Sequence, residues 1–180
     1  RIANKSTYWV SFELLWRDYL KFLPLKVGDK LFYLTGPCNK EKKWSTTNHG
    51  WNEWCNGLTG YDIIDANMIE LNLTGWMSNR GRQIVASFLT KDLGIDWRWG
   101  AEYFESKLID HSVESNWGNW TYAAGVGTDP RENRYFNLTK QAKNYDNDSS
   151  FRKLWCSSRT EEIFHKIPYK LGKYAPSWNP

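Results

Sequence analysis

Apolar residues recur every three or four positions along much of the chain, a spacing typical of helices that bury one face. The longest such segment covers residues 6–23, and Ser6 is its expected N-cap. Its apolar stripe consists of Trp9, Phe12, Trp16 and Leu20. This segment predicts one long helix at the start of the chain.

Two further stripes follow in quick succession. Residues 59–73 place Ile63, Ile64, Met68 and Leu71 on one face of a predicted helix. Residues 74–89 do the same with Met77, Gly81, Ile84, Val85 and Phe88. Shorter helices are predicted at 101–109 and 138–145, and alternating strand patterns are nearly absent. The pattern therefore predicts an all-α fold.

Polar or mixed segments separate these helices. Residues 25–50 and 110–135 lack a clear period and are predicted to be irregular, as is the proline-containing segment after Ser157. Loops on a helical scaffold commonly carry functional side chains. We expect one helical domain over residues 1–156 and an irregular tail over residues 157–180.

Composition adds one unusual feature. The chain of 180 residues contains 12 Trp and 10 Tyr, although its hydrophobic fraction of 41% is ordinary. Such a content indicates either a heavily stacked core or a surface that handles flat, π-rich ligands. The net charge of +4 permits contact with nucleic acid without requiring it.

Cysteine and histidine spacing argues against several classes of site. The three cysteines, Cys38, Cys55 and Cys156, show no C-x-x-C spacing and cannot all pair within one chain, which favours a reducing compartment over secretion. The three histidines lie too far apart for local metal-ligand spacing, so no metal site is predicted. No apolar run approaches the roughly 18 residues that a membrane span needs.

One group of polar residues suggests a binding site. Asn79 and Arg82 are three positions apart and share a helix face that is distinct from the apolar stripe. Downstream, Asp110 and Asn116 lie in a glycine-containing segment that could fold back over that face. The sequence pattern alone leaves two interpretations open. An Arg82–Asp110 pair would be a buried structural ion pair, or the pair and the amides would together bind a heteroaromatic ring.

Five collinear blocks within residues 1–155 resemble the photolyase and cryptochrome family, specifically its DASH branch. The blocks are STYWVSFELLWRDYLKFL, GLTGYDIIDANMIEL, TGWMSNRGRQIVASFLTKDLGIDWRWGAEYFE, SNWGNWTYAAGVGTDPRENRYFN and KQAKNYD. The resemblance implies a helical domain that binds FAD and supports light-driven electron transfer. On this resemblance, the flavin ring would be lined by Asn79, Arg82, Asp110, Ser112 and Asn116.

The resemblance also assigns two further groups of residues. Trp120, Trp97 and Trp44 match the family's electron-transfer chain, in which an electron passes from the nearest indole and the hole moves outward. A substrate cavity for a flipped pyrimidine dimer in single-stranded DNA corresponds to Glu13, Trp16, Arg17, Arg80 and Tyr122. From the residues alone, Glu13 and Arg17 would be an ordinary surface pair at i,i+4 spacing.

Departures from the family pattern are also present. Ser112 occupies a position where the family has Asp, so the polar edge of a flavin would lose a carboxylate partner. Complete family members have an N-terminal α/β antenna domain and a serine-rich phosphate cradle before the block that begins near Ser6. The chain would begin after both and is expected to bind FAD weakly or not at all.

Three functions follow from these observations. The first is the flavin-binding half of a DASH photoreceptor or dimer-repair enzyme that acts on single-stranded DNA. The second is a flavin-less domain kept as an interaction subunit, in contact with other protein subunits of a larger organellar complex. The third is a plain single-strand-binding patch of Arg80, Lys91 and Arg131, whose affinity would fall steeply with salt. By resemblance, the expected location is a chloroplast or mitochondrion.

Overall fold

The computed structural model describes residues 4–131 and 134–157, and the regular structure in these ranges is entirely helical. The all-α prediction is confirmed. A 3-10 turn at Gly28–Phe32 follows the first helix, and a π-helical turn at Phe88–Asp92 follows the fourth. The helices are α1 (Lys5–Val27), α2 (Trp51–Asn56), α3 (Asp62–Thr74), α4 (Asn79–Ser87), α5 (Trp97–Lys107), α6 (Val113–Ala124), α7 (Leu138–Tyr145) and α8 (Ser150–Trp155).

The N-cap of helix α1 lies two residues before the predicted one. Asn4, not Ser6, caps it, because the Asn4 side chain accepts from the Thr7 N–H while Thr7 Oγ1 accepts from the Asn4 N–H, each at 3.0 Å. The predicted apolar stripe is only partly buried. Trp9 and Phe12 stay 46% and 43% exposed, whereas Leu20 is buried where α1 packs on α6 against Gly118.

Helix α3 lies at the centre of the fold, between α2, α4 and α8. Nine consecutive residues, 63–71, are buried, so this helix is apolar on all sides apart from a few polar groups. Gly81 of α4 faces Asn67 of α3, and a Cβ at position 81 would collide with the Asn67 side chain. The third predicted stripe, Met77, Gly81, Ile84, Val85 and Phe88, is confirmed as buried.

Helices α5 and α6 form the other half of the core. Aromatic rings fill the space between them and α2, and Trp51, Trp54, Trp97 and Tyr103 are almost completely buried. The Trp54 indole donates to the Val85 carbonyl at 3.1 Å, and the Tyr103 hydroxyl donates to the Cys55 carbonyl at 2.8 Å. In the described residues, the tryptophans therefore serve mainly to build a stacked aromatic core.

Several sequence predictions need correction. The segment 110–135, predicted to be irregular, contains the buried helix α6, and α2 and α8 were not predicted. The predicted helix 101–109 is α5, which begins four residues earlier at Trp97, whereas α7 matches 138–145. None of the described helices is both long and apolar enough to span a membrane. Apart from Ser157, the predicted tail lies outside the described residues.

Candidate functional site

Arg82 and Asp110 form the predicted ion pair at the junction of α4 with the loop that follows α5. Arg82 Nη2 donates to both carboxylate oxygens of Asp110, at 3.0 and 2.9 Å, and its Nε donates to the Met77 carbonyl at 2.9 Å. The two side chains are 28% and 51% exposed, so the pair is not buried. A partly exposed pair adds about 1 kcal/mol or less to stability, and its main effect is to fix where the guanidinium and the carboxylate lie.

The backbone holds the same loop against the start of α4. The Ile109 N–H donates to the Gly75 carbonyl at 2.9 Å. Gly75 has a φ of 70°, and a Cβ there would press on Ile109 and on the Lys107 carbonyl. This glycine lets the turn after α3 approach the end of α5, which places Asp110 in reach of Arg82.

Asn116 and Trp120 lie one helical turn apart on the buried face of α6. Asn116 Nδ2 donates to the Ala101 carbonyl of α5 at 2.8 Å. The Trp120 ring covers Gly100, where a Cβ would collide with it, and packs edge-on against Phe104 with a centroid separation of 5.1 Å. Small residues on α5 therefore let α6 come close enough to bury an amide and an indole side by side.

Several polar side chains lie close in sequence to Arg82 or Asp110. Ser112 occupies the N-cap position of α6, yet its hydroxyl makes no capping hydrogen bond. The neighbouring His111 is half-buried, and neither ring nitrogen has a hydrogen-bond partner in the described part of the chain. Its Nε2 lies 3.8 Å from Glu105 Oε1. Asn79, the first residue of α4, is exposed.

The three tryptophans of the predicted chain differ in depth. Trp120 and Trp97 are buried, and Trp44 is half-buried at the edge of the core. The Trp97 indole donates to the Leu34 carbonyl at 3.2 Å and packs edge-on against Trp117 at 5.6 Å. The Trp44 indole nitrogen is buried without a partner within residues 4–131 and 134–157.

Two of the predicted substrate residues meet on one surface. Trp16 packs edge-on against Tyr122 with centroids 5.2 Å apart and stacks on Tyr19 at 5.1 Å. Arg134 lies over the Tyr122 ring and donates to its hydroxyl at 3.0 Å. We call Trp16, Tyr19, Tyr122 and Arg134 the aromatic ledge. Tyr19 and Arg134 were not predicted, although Arg134 and Tyr122 fall within one of the quoted blocks.

The other predicted substrate residues have different surroundings. Glu13 and Arg17 are exposed on α1, and Arg17 pairs with Asp18 at 3.4 Å. Arg80 covers the Tyr145 ring at 4.8 Å and the Phe136 ring at 5.5 Å. The structure thus places Arg80 against α7 and the segment before it, apart from the contacts of the aromatic ledge.

The chain matches a family model described as the FAD binding domain of DNA photolyase over residues 9–170. Curated relatives include the chloroplastic/mitochondrial cryptochrome DASH of Oryza sativa subsp. japonica, 60% identical over 155 residues that are 86% of this chain and 27% of the relative. Cryptochrome DASH of Danio rerio is 59% identical over 155 residues that are 86% of this chain and 30% of that protein.

Solved structures agree with these matches. The crystal structure of Synechocystis sp. cryptochrome has a TM-score of 0.82 and 57% identity, covering 86% of this chain and 32% of that one. The structure of an archaeal photolyase from Sulfolobus tokodaii with two FAD molecules has a TM-score of 0.76 and 36% identity, covering 87% of this chain and 38% of that one.

The chain belongs to the photolyase/cryptochrome family, in its cryptochrome DASH branch. Its helical architecture is that of the family's FAD-binding domain. This DASH domain spans about a third of the length of the relatives that it matches. Three plant relatives are named chloroplastic/mitochondrial, whereas those of Danio rerio and Synechocystis carry no organelle in their names.

Proposed function

We propose that this DASH domain binds the isoalloxazine ring of FAD beside the Arg82–Asp110 pair and supports blue-light-driven electron transfer. One observation carries the proposal. The Arg82 guanidinium and the Asp110 carboxylate hold each other in place next to α6. The buried face of α6 carries the Asn116 amide and, one turn further on, the Trp120 indole. A flavin would supply blue-light absorption and a one-electron acceptor at this place.

The polar groups near the pair fit the edge of a flavin ring. That edge alternates hydrogen-bond donors and acceptors, and amides and hydroxyls can serve both. Asn79, Ser112 and Asn116 would hold it, and the Ser112 hydroxyl is not consumed by capping α6. The Arg82–Asp110 pair would set the local field that tunes the ring. The half-buried His111 adds two ring nitrogens without hydrogen-bond partners on the same loop.

The degree of burial of the three predicted tryptophans supports the electron-transfer role. Trp120 is buried on the face of α6 that also carries Asn116, so water is excluded from its ring. Trp97 is buried and hydrogen-bonded through its indole N–H, which fixes its orientation. Trp44 lies at the edge of the core, where an oxidised ring can exchange charge with solvent. We assign the order Trp120, Trp97, Trp44 from inside to outside.

The aromatic ledge suits a flat ligand such as an unpaired base or a pyrimidine dimer. Trp16 and Tyr122 offer rings for stacking, and base stacking on aromatic side chains is worth about 1–3 kcal/mol per base. Arg134 adds a cation at the rim. We propose single-stranded DNA as the partner and dimer repair as the reaction. Trp16→Ala should lose binding to a single-stranded oligonucleotide. Trp9→Ala, also on α1, is the matched control.

An absorption spectrum tests the flavin proposal. The protein isolated from its source, or refolded with FAD, should show flavin bands and release flavin on acid treatment. Arg82→Gln should lower FAD affinity about tenfold or more, since charged hydrogen bonds contribute roughly 1.5–3 kcal/mol. Arg152→Gln, which breaks the ion pair between Arg152 of α8 and Asp146, is the matched control. Protein from the native source without flavin would contradict the proposal.

A second candidate function is an interaction subunit of a larger assembly in a chloroplast or mitochondrion. The exposed apolar side chains of α1 favour it, with Leu15, Phe22 and Leu25 exposed by 69%, 66% and 83%. This function predicts a high native mass with other protein chains, an organellar fraction and no flavin. A flavin-loaded protein at the mass of a single polypeptide would contradict it.

The third function, a single-strand-binding patch of Arg80, Lys91 and Arg131, has little support. Lys91 donates to the Ala124 carbonyl at 2.9 Å, and Arg80 covers two aromatic rings. Of the three, Arg131 has an exposed side chain, at 69%. A patch that binds phosphates needs several cations presented to solvent together.

A further inference from the structure

Trp117 is a buried tryptophan in ring contact with the predicted electron-transfer chain. It lies one helical turn before Trp120 on α6 and is 7% exposed. Its ring packs edge-on against Trp97 with centroids 5.6 Å apart and against Phe32 with centroids 5.0 Å apart. Aromatic neighbours on two different elements hold the ring in one orientation. Trp117 is not among the predicted electron-transfer residues, yet it packs directly on one of them.

The acceptor for the Trp117 indole N–H is a carboxylate. The N–H donates to Glu105 Oε2 at 2.9 Å, which is within the distance over which a positioned base takes a proton. The other oxygen, Glu105 Oε1, lies 3.8 Å from His111 Nε2, and the Glu105 side chain is 44% exposed. Glu105 therefore links a buried indole ring to solvent.

The indole nitrogens of Trp97 and Trp44 have different surroundings. The Trp97 N–H donates to the Leu34 carbonyl at 3.2 Å, and a carbonyl is a neutral acceptor and a poor base. The Trp44 nitrogen is buried and has no hydrogen-bond partner in the described part of the chain. Removing one electron from an indole makes its N–H strongly acidic, and burial disfavours any charged form. A buried oxidised ring is therefore stabilised where a base can take its N–H proton.

We propose that Trp117 and Glu105 form a branch of the electron-transfer chain at which the hole stops and the indole proton leaves. The proposal rests on the electron-transfer function proposed above, in which photoexcited flavin is the primary oxidant and the hole reaches Trp97 through Trp120. Trp117 gives one electron to the oxidised Trp97 ring, which becomes neutral again. The N–H proton of the Trp117 cation radical then moves to Glu105 Oε2. The products are a neutral Trp117 radical and a neutral Glu105 carboxylic acid, which releases its proton to solvent.

Loss of the proton should make the separated state last longer. A cation radical is reduced by an electron alone, whereas the neutral Trp117 radical must also recover its proton from Glu105 or from solvent. The neutral radical also lacks the Coulomb attraction that draws the transferred electron back to a cation in a weakly screened interior. Glu105 thus acts as the proton acceptor that holds the hole on Trp117.

Transient absorption of the FAD-loaded chain tests the branch. Cation and neutral tryptophan radicals have different visible absorption bands, so the response to a blue flash reports both. The unchanged protein should form the neutral radical, and most of it should be lost in Trp117→Phe and in Glu105→Gln. Phenylalanine keeps a ring in the core, and glutamine keeps an acceptor oxygen without being a base. An undiminished neutral radical in either variant would overturn the proposal.

Two other variants are the matched controls. Trp54→Phe also changes a buried tryptophan, but one whose N–H donates to a carbonyl. Glu53→Gln changes an exposed glutamate of α2. Both should keep the neutral radical of the unchanged protein, and far-UV circular dichroism checks that all four variants fold. A loss in Trp54→Phe equal to that in Trp117→Phe would overturn the assignment to Trp117.

A flavin-free measurement separates failure of the branch from failure of the proposed function. An ultraviolet flash ejects electrons from tryptophans directly, and the hole then moves among the rings of the core. The neutral radical should form more slowly in Glu105→Gln than in Glu53→Gln. If this difference is seen while blue light produces no tryptophan radical in the FAD-loaded chain, the proposed function fails and the Trp117–Glu105 pair stands. Equal rates in Glu105→Gln and Glu53→Gln would reject the pair itself.

Discussion

Helices α1 and α6 differ in how well their sequence pattern predicts their burial. Helix α1 has a regular apolar stripe and a capping box, yet most of its first four turns are exposed. Helix α6 contains glycine, two asparagines and no long apolar stripe, yet it packs against both α1 and α5 and buries Asn116, Trp117 and Trp120. Local pattern thus predicts whether a helix forms, whereas its tertiary neighbours decide how deeply it lies.

The sharpest test of this contrast is to truncate a tryptophan in each helix. Trp120→Ala should lower the free energy of unfolding by about 3–5 kcal/mol, because a buried ring is replaced by a cavity. Trp9→Ala should cost about 1 kcal/mol or less, since Trp9 is half exposed. Urea unfolding followed by circular dichroism measures both. Similar losses in the two variants would mean that α1 is covered in solution.

The glycines at the helix contacts provide a second test. Gly100→Ala should destabilise the domain by about 1–3 kcal/mol, although alanine is the better helix former by about 1 kcal/mol. The added Cβ would meet the rigid Trp120 ring and Leu89. Gly118→Ala is the control, since its Cβ would meet the end of the flexible Leu20 side chain at 2.6 Å. A more stable Gly100→Ala protein would contradict the close packing of α5 on α6.

A smaller effect is expected at the start of α1. Asn4→Ala removes one half of the capping box, a change that typically costs about 1 kcal/mol of helix stability. Because the first turns of α1 are exposed, the loss should appear locally. Amide hydrogen exchange should accelerate in the first turns of α1 while α6 is unaffected. Faster exchange throughout the domain would show that α1 and the core unfold as one unit.

A further test concerns pH. Burial in the α5 half of the core raises the pKa of Glu102 to about 7 from 4.5, an effect that the Arg98 charge partly offsets. The folded state therefore holds this proton more tightly than the unfolded state does, so stability falls as pH rises from 4.5 to about 7. Glu102→Gln should flatten this fall in melting temperature. Glu13→Gln on exposed α1 is the control, and an unchanged slope in Glu102→Gln would reject the effect.

The sequence predicts much of the fold where pattern and burial agree. Helices α3 and α4 carry stripes that the structure buries, and the Arg82–Asp110 contact follows from opposite charges on predicted neighbouring segments. Helix α6 could not be recognised, because asparagine and glycine have low helix propensity and are chosen here for contacts with α5 and α1. A single-sequence pattern contains no information on such long-range contacts.

The same limit applies to the candidate site. Tyr19 of the aromatic ledge stacks on Trp16 three residues away, a contact that helical spacing alone allows, but its hydroxyl partner Thr128 is 109 residues away. The contact between Arg134 and Tyr122 likewise requires the segment after α6 to turn back on the helix. The flavin roles of Asn79, Arg82, Asp110, Ser112 and Asn116 come from family resemblance and stay predictions.

The π-helical turn Phe88–Asp92 fixes the direction in which each of its side chains leaves the helix axis. An α-helix turns by about 100° per residue, so one residue more or fewer in this turn would swing Lys91 and Asp92 around the axis. Lys91 would leave the end of α6, and Asp92 would lose its contact with Tyr135. This stretch should therefore accept many changes of side chain and almost no change of length.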